Sequence, residues 1–359
     1  MSQQPLNTGH PLGEDSRKLA LANWVSQTDK DLNTIPRLTP ISNDAGFRRY
    51  FRYPSLTPVL AVDAPPATED SRQFIALATY LGTHGLGTPK VIAADIDQGF
   101  LLVEDFGDQL LYNALTPANA NQLYGLALDN LKKLHQCLNQ PGLVPLYDRA
   151  LLRRELEIFS EWFVQAMLGY KLSGDETQML EQVFTQLEDN ALHQPQVLVH
   201  RDYHSRNLIL RPDGKLGVID FQGALRGAIT YDLVSLLRDC YKRWPEPQVQ
   251  TWALGYRQQA INEHLIPEIS EQTFMRWFDW MGLQRHIKVL GIFARLLLRD
   301  GKPGYLKDLP LVIRYTLEVA EQHQELIPFA NWFKEKLLPL IQKQSWYWDY
   351  RTAGDGDTE

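Results

Sequence analysis

An apolar run, Val197-Leu198-Val199, leads into His200-Arg201-Asp202, and Asn207 follows five residues after Asp202. Leu208-Ile209-Leu210 reads as a strand, Pro212-Asp213-Gly214-Lys215 as a turn and Leu216-Gly217-Val218-Ile219 as the return strand, which ends on Asp220-Phe221. A hairpin of this kind brings Asn207 and Asp220 together at one end, beside Asp202. The residue types then divide by role. A carboxylate at Asp202 can orient a hydroxyl and take its proton, so it is the candidate catalytic base. Amide and carboxylate oxygens at Asn207 and Asp220 can hold Mg²⁺ against phosphates. Together these residues provide what phosphoryl transfer from ATP requires, and that reaction is promoted mainly by position and charge.

Two kinds of sequence surround this loop. Toward the N-terminus the spacing predicts a helix over 18–27 with Leu19, Ala22 and Val25 on one face. Strands over 38–42, 47–53 and 58–63 follow, with a hairpin turn at Asn43-Asp44-Ala45-Gly46. A helix over 69–83 presents Phe74, Leu77, Ala78 and Leu81, and Gly85 and Gly87 end it. Strands over 90–95 and 100–104 join at Asp97-Gln98-Gly99. Beyond Leu110 helical periodicity dominates, at 119–137, 150–166, 176–191, 230–242, 247–262 and much of 270–298. The expected fold is therefore α+β and two-lobed, with a small antiparallel-sheet N-terminal lobe (1–103) and a large helical C-terminal lobe (109–359). Residues 104–108 form the hinge, and the last residues, Gly354 to Asp357, read as a frayed tail.

Composition narrows the class. Of the 359 residues, 44% are hydrophobic and 22% charged, and the net charge is −7 with no basic stripe, which argues against a nucleic-acid binder. Cys137 and Cys240 cannot build a disulfide framework or a zinc site and read as core residues. The first fifteen residues lack a signal peptide's basic start and apolar centre, and no apolar run is long enough to span a bilayer. The expectation is a cytoplasmic enzyme, monomeric, with small-molecule partners and neither a nucleic-acid nor a membrane partner.

The His200 to Asn207 run with Asp220-Phe221 resembles the catalytic and metal loops shared by protein kinases and the aminoglycoside phosphotransferase family. His204 and Asp220-Phe221-Gln222 are similar to the small-molecule branch, where a protein kinase carries Asp-Phe-Gly. The resemblance implies that Asp232 caps a helix and braces the loop together with His200, and that Leu101 to Gly107 is the hinge. Glu104 and Phe106 would then offer backbone groups to the adenine. A protein kinase fits less well, because 220–232 leaves little room for an activation segment and no Ala-Pro-Glu follows. Further runs narrow the likeness: Asp44 to Arg52, Val62-Asp63-Ala64-Pro65-Pro66, Thr230 to Tyr241 and Gln284 to Leu296 resemble the bacterial anomeric amino-sugar kinases. That subfamily phosphorylates N-acetylmuramate or N-acetylglucosamine at C1 in peptidoglycan recycling.

The pattern breaks at the phosphate-gripping lysine. The third strand reads Val59-Leu60-Ala61-Val62-Asp63, with an acid at the lysine position, and there is no Gly-x-Gly-x-x-Gly loop. Arg48 and Arg49, with Arg52 nearby, are the candidate phosphate cations, helped by backbone amides of 44–47. For the acceptor the candidates are His204, Gln222, Arg226, Arg238 and Asp239, with Trp244, Trp277 and Trp280 as possible stacking surfaces. Arg285 and Arg295 either line the site or pair within the helical lobe. Two alternatives stay open: another small-molecule kinase of this fold (aminoglycoside, choline, homoserine or glycated-amine acceptor), and a nucleotide-binding pseudokinase. Asp63 favours the latter, and intact Asp202, Asn207 and Asp220 oppose it.

Overall fold

The short apolar and β-branched runs at the front of the chain form five strands in the computed structural model, which describes residues 15–41, 47–138 and 140–358. They are β1 (Thr39–Pro40), β2 (Arg49–Arg52), β3 (Val59–Asp63), β4 (Val91–Asp95) and β5 (Phe100–Glu104), paired antiparallel throughout in the order β1-β2-β3-β5-β4. Register sets Arg49 opposite Asp63 and Val59 opposite Glu104. The predicted turn at 43–46 lies outside the described residues. The first helix, Ser16–Thr28, is capped by the Asp15 carboxylate and buries Leu21, Ala22 and Val25. Leu19, expected on that face, is 47% exposed. Leu21 takes its place beside Ala22 and Val25 in the stripe that packs on Phe51, Val59, Ala61 and Phe100.

The second helix, Ser71–Thr83, buries Phe74, Leu77, Ala78 and Leu81 as its spacing predicts. It begins two residues later than expected because Asp70 caps it, accepting from Gln73 N at 3.0 Å. Glu69 is thereby left outside the helix and free to pair elsewhere.

By contact the chain divides into two compact units: Met1–Thr83 with Thr88–Gly107, and His84–Gly87 with Asp108–Glu359. The short 84–87 segment goes with the second unit because the Gly87 carbonyl accepts from Val218 N at 2.8 Å. That unit is helical around the 28-residue helix Glu271–Leu298, which is buried almost continuously from Phe278 to Ala294. Gly291 lets this helix close on its neighbour: a Cβ there would lie 2.5 Å from backbone atoms of Ile158 and Phe159. The neighbour, Arg149–Ile158, runs on into a π-helical stretch, Phe159–Met167, where a plain α-helix was expected.

Two small sheets carry the candidate catalytic segment. Strands β6 (Gln196–Val199) and β9 (Leu225–Ala228) pair with each other, and β7 (Leu208–Leu210) with β8 (Leu216–Val218). The hairpin was legible, whereas β9 was not. Two further expectations change. The helix expected over 230–242 stops at Leu237, because the chain turns at Arg238 and the Asp239 carboxylate takes up Tyr241 N at 3.0 Å. The C-terminal residues are tied down rather than frayed, since Arg314 donates to the Ala353 carbonyl at 2.8 Å and to Asp355 at 2.5 Å. Among the described residues no helix is long and apolar enough to cross a membrane.

Candidate active site

Two buried carboxylates grip the loop after β6, one near each end. Asp232 accepts from His200 N at 2.6 Å and Arg201 N at 2.9 Å. Asp239 accepts from Ser205 N at 3.0 Å and from the Ser205 hydroxyl. Neither acid has exposed surface. This double grip sustains the left-handed backbone of Arg201, φ +78°, an unfavourable conformation for a residue with a long side chain. Burial pushes the Asp232 carboxyl up to about 7, against the two N–H groups that favour its anion.

His200 ties the loop to the strand beyond β8. Its Nε2 donates to the Ile219 carbonyl at 2.9 Å and its Nδ1 accepts from Asp202 N at 3.3 Å, which assigns the tautomer. Burial lowers its pKa to about 4, so the ring is neutral. Asn207 Nδ2 donates to the Asp202 carbonyl at 2.9 Å, and Ile219 N donates to the Asn207 carbonyl at 3.1 Å. The hairpin thus sets Asn207 beside Asp202, and Asp220 follows Ile219 in left-handed backbone, φ +63°.

The Asp202 side chain is 53% exposed. Packing around it opposes its charge, but Lys288, His204, Arg285 and Arg201 outweigh that and hold its pKa down to about 2. It is therefore an anion that a substrate can reach. Among the described residues no group of three or more His, Cys, Asp or Glu could hold a metal. A cation here would instead be held by the Asn207 amide oxygen and the Asp220 carboxylate, its other positions filled by phosphate and water oxygens. That all-oxygen donor set suits Mg²⁺.

Behind the loop lies a charged network that the sequence did not single out. Glu155, 4% exposed, pairs with Arg201, accepts from the Tyr147 hydroxyl and meets Lys288 Nζ at 3.0 Å. Lys288 also donates to the Tyr231 hydroxyl at 3.0 Å. Lys288 and Glu155 counter each other's desolvation: the lysine and Arg201 hold the Glu155 carboxyl below its ordinary value despite burial. The available signal was Gln284-Arg285-His286 and Lys288 inside an otherwise apolar helix, since polar groups on a buried helix need partners.

The acceptor candidates separate. His204 packs edge-on to Tyr241 at 5.3 Å and Gln222 Nε2 donates to Asp220 Oδ1 at 2.6 Å, so both lie at the loop. His204 Nδ1 and Gln222 Oε1 are buried with no hydrogen-bond partner among the described residues. Arg226 sits on β9 opposite Leu198 and is half-buried. Arg238 and Asp239, by contrast, face inward. Arg238 is 2% exposed and pairs with Glu246 and Asp279, each at 2.8 Å, because a buried guanidinium needs its charge met. Asp239 is consumed in clamping Ser205. Trp244 and Trp280 are core residues, Trp244 donating to the Tyr124 hydroxyl at 2.8 Å, and Trp277 is half-buried. Arg295 is half-buried further along the same helix.

In the first unit the lysine's absence has a structural counterpart. Asp63 is fully buried and takes two donors each from Arg17 and Arg49, their Nη2 atoms at 2.5 Å. Arg17, which the sequence reading passed over, comes from the first helix. Arg49 is further engaged by Asp15, and Arg52 by Asp105 at 2.6 Å. Arg48 is 6% exposed, lies over the Phe74 ring at 4.5 Å and meets Glu69 at 3.0 Å. In the segment expected to be the hinge, Glu104 N donates to the Lys90 carbonyl and Asp105 N to the Pro58 carbonyl, each at 2.9 Å, and Phe106 is buried.

This chain is similar to a Pseudomonas aeruginosa protein named N-acetylmuramate/N-acetylglucosamine kinase, with 43% identity covering 88% of this chain and 95% of the relative. A Pseudomonas putida protein of the same name is 40% identical over 89% and 97% of the two chains. Among solved structures, an ethanolamine kinase of Plasmodium vivax shares the fold at a TM-score of 0.59 and 12% identity, covering 84% of this chain and 87% of that one. The model of the phosphotransferase enzyme family matches residues 37–268, a stretch that runs from β1 through the Asp202 loop, the hairpin and both clamping acids. With that match and relatives this close along most of its length, the chain belongs to the phosphotransferase enzyme family and is a kinase.

Proposed function

We propose that this kinase transfers the γ-phosphoryl group of ATP to the anomeric C1 hydroxyl of N-acetylmuramate, N-acetylglucosamine or both, forming sugar 1-phosphates in peptidoglycan recycling in the cytoplasm. The observation that carries the chemistry is the exposed, strongly ionised Asp202 carboxylate, with Asn207 bonded to the Asp202 carbonyl and Asp220 next to Ile219, which bonds Asn207 in turn. The acceptor rests on relatives of the same name along almost their full length.

In this reading Asp202 accepts a hydrogen bond from the sugar hydroxyl and orients its oxygen toward the γ-phosphorus. A carboxyl held at about 2 is a weak base, so it takes the proton late. An anomeric hydroxyl, more acidic than an ordinary alcohol, suits such a base. Asn207 and Asp220 would hold Mg²⁺, which supplies charge neutralisation to the phosphates. His204, Gln222 and Arg226 are the acceptor-side residues of this proposal.

On the nucleotide side, the Arg48–Glu69 pair has the chemistry of the lysine–glutamate pair that kinases use to place phosphates. Arg48 is therefore the phosphate cation of this reading, and Arg49 acts through Asp63. Glu104 and Phe106 are the adenine edge. Incubating the protein with MgATP and a panel of free and 1-O-methyl amino sugars tests the assignment. Turnover of the free sugars and none of the 1-O-methyl glycosides is expected, whereas turnover of the glycosides would sink it.

A further inference from the structure

Among the described residues, buried cations other than Arg285 are met by an anion or by repeated bonds to one carbonyl. Lys288 has Glu155 and Tyr231, Arg238 has Glu246 and Asp279, and Arg243 takes both oxygens of Glu318. Arg257 donates twice to the Ile269 carbonyl. Arg285 breaks the pattern. It is 3% exposed, yet among the described residues its one hydrogen bond runs from Nη1 to the Cys240 sulfur at 3.3 Å, and its Nε has no partner there. The thiol does not neutralise it, since burial pushes Cys240 up to about 11. The nearest carboxylate, Asp202, stands off at 3.9 Å from Nη2. A guanidinium carries five donors in a planar fork built for oxyanions, and burying it with most of them idle is unfavourable.

We infer that Arg285 is an oxyanion site of the reactants: its guanidinium is held beside Asp202 with unspent donors, to be completed by oxygens of the bound substrates. The inference rests on the kinase reading. Two sources share this chemistry, a carboxylate on the acceptor and the oxygens of the phosphoryl group in flight. Asp202 cannot be the full answer, because at 3.9 Å it makes no hydrogen bond to Arg285 and must keep its oxygens for the hydroxyl. The role also explains a helix that buries a cation within a largely apolar stretch: Arg285 is not paired at rest because its partner arrives with the reaction.

The experiment compares wild type, Arg285→Gln and Arg285→Lys with N-acetylmuramate, which has a carboxylate, and N-acetylglucosamine, which has none. Arg285→Gln is expected to lower kcat/KM by about 10- to 100-fold, the range for losing charge-assisted hydrogen bonds. Arg285→Lys should recover part of this. A loss confined to N-acetylmuramate, in KM, assigns the carboxylate, and an equal loss in kcat for both sugars assigns the phosphoryl oxygens. Removing an unmet buried cation should leave the thermal midpoint unchanged or raise it, where a merely structural arginine would lower it. Inorganic phosphate provides an arm independent of the acceptor: it should raise the wild-type midpoint and raise that of Arg285→Gln less. If neither sugar is turned over by wild type, the acceptor reading fails while this arm still decides Arg285. Activity within twofold of wild type in Arg285→Gln, or a lowered midpoint with an unchanged response to phosphate, overturns the inference.

Discussion

Replacing Glu155 by glutamine removes one charge and almost no volume, which makes it a clean test of what holds the catalytic loop. In the folded protein this carboxylate is 4% exposed and serves Arg201, Lys288 and the Tyr147 hydroxyl at once. Glutamine leaves two cations without their shared anion. Breaking a buried pair by deleting one partner costs about 3–5 kcal/mol. For a unit of this size each kcal/mol moves the thermal midpoint by about 2–4 °C, so a fall of about 6–20 °C is expected. Because Arg201 is held in left-handed backbone next to Asp202, kcat should fall as well, with little change in KM for ATP. The assay is a thermal melt at fixed scan rate beside steady-state kinetics on each variant. The double variant Glu155→Gln with Lys288→Met is the internal control: deleting one stranded cation should return part of the lost stability. A midpoint within 2 °C of wild type in Glu155→Gln, or strictly additive losses in the double variant, would refute the reasoning.

Other perturbations follow from the same geometry. Arg48→Ala should lower kcat/KM for ATP about 10- to 100-fold, and Glu69→Gln less, if this pair places the phosphates. Equal ATP kinetics in Arg48→Ala and wild type would remove Arg48 from the site. His200, with its pKa lowered to about 4 by burial, binds fewer protons folded than unfolded between pH 4 and 6.5, so stability should fall as pH drops through that window. The loss from His200 is of the order of 3 kcal/mol by pH 4; His135 and His286, both lowered to about 3, act in the same direction, and Asp232, raised to about 7, offsets part of the loss because it binds more protons folded than unfolded. Chemical denaturation at pH 7, 5.5 and 4.5 measures the slope, and a flat profile would contradict it. Over the same range, turnover of enzyme that remains folded should show no ionisation attributable to Asp202.

The Asp202 loop and its hairpin were legible as a structural unit because their groups are close in sequence and turn residues announce the hairpin. The strand positions of the first unit and the apolar face of Ser71–Thr83 were legible for the same reason, since period and punctuation are local signals. What stayed hidden depends on distant partners. Nothing near Asp63 says that Arg17, forty-six residues earlier, will neutralise it. Arg238 and Asp239 have the composition of a sugar site, yet only the fold reveals Glu246, Asp279 and Ser205 already in contact with them. The tryptophans show the usual ambiguity of aromatic residues at helical spacing, and Trp244 and Trp280 resolve into core.

The central claim, that Asp202 directs phosphoryl transfer onto an anomeric hydroxyl, is tested most directly by the position of the phosphate. N-acetylmuramate or N-acetylglucosamine labelled with ¹³C at C1, incubated with MgATP and the wild-type enzyme, should give a product whose C1 signal is split by phosphorus. Asp202→Ala should yield that product orders of magnitude more slowly with sugar binding largely retained. A phosphate found on any other sugar oxygen, or an Asp202→Ala variant within tenfold of wild type, would contradict the account.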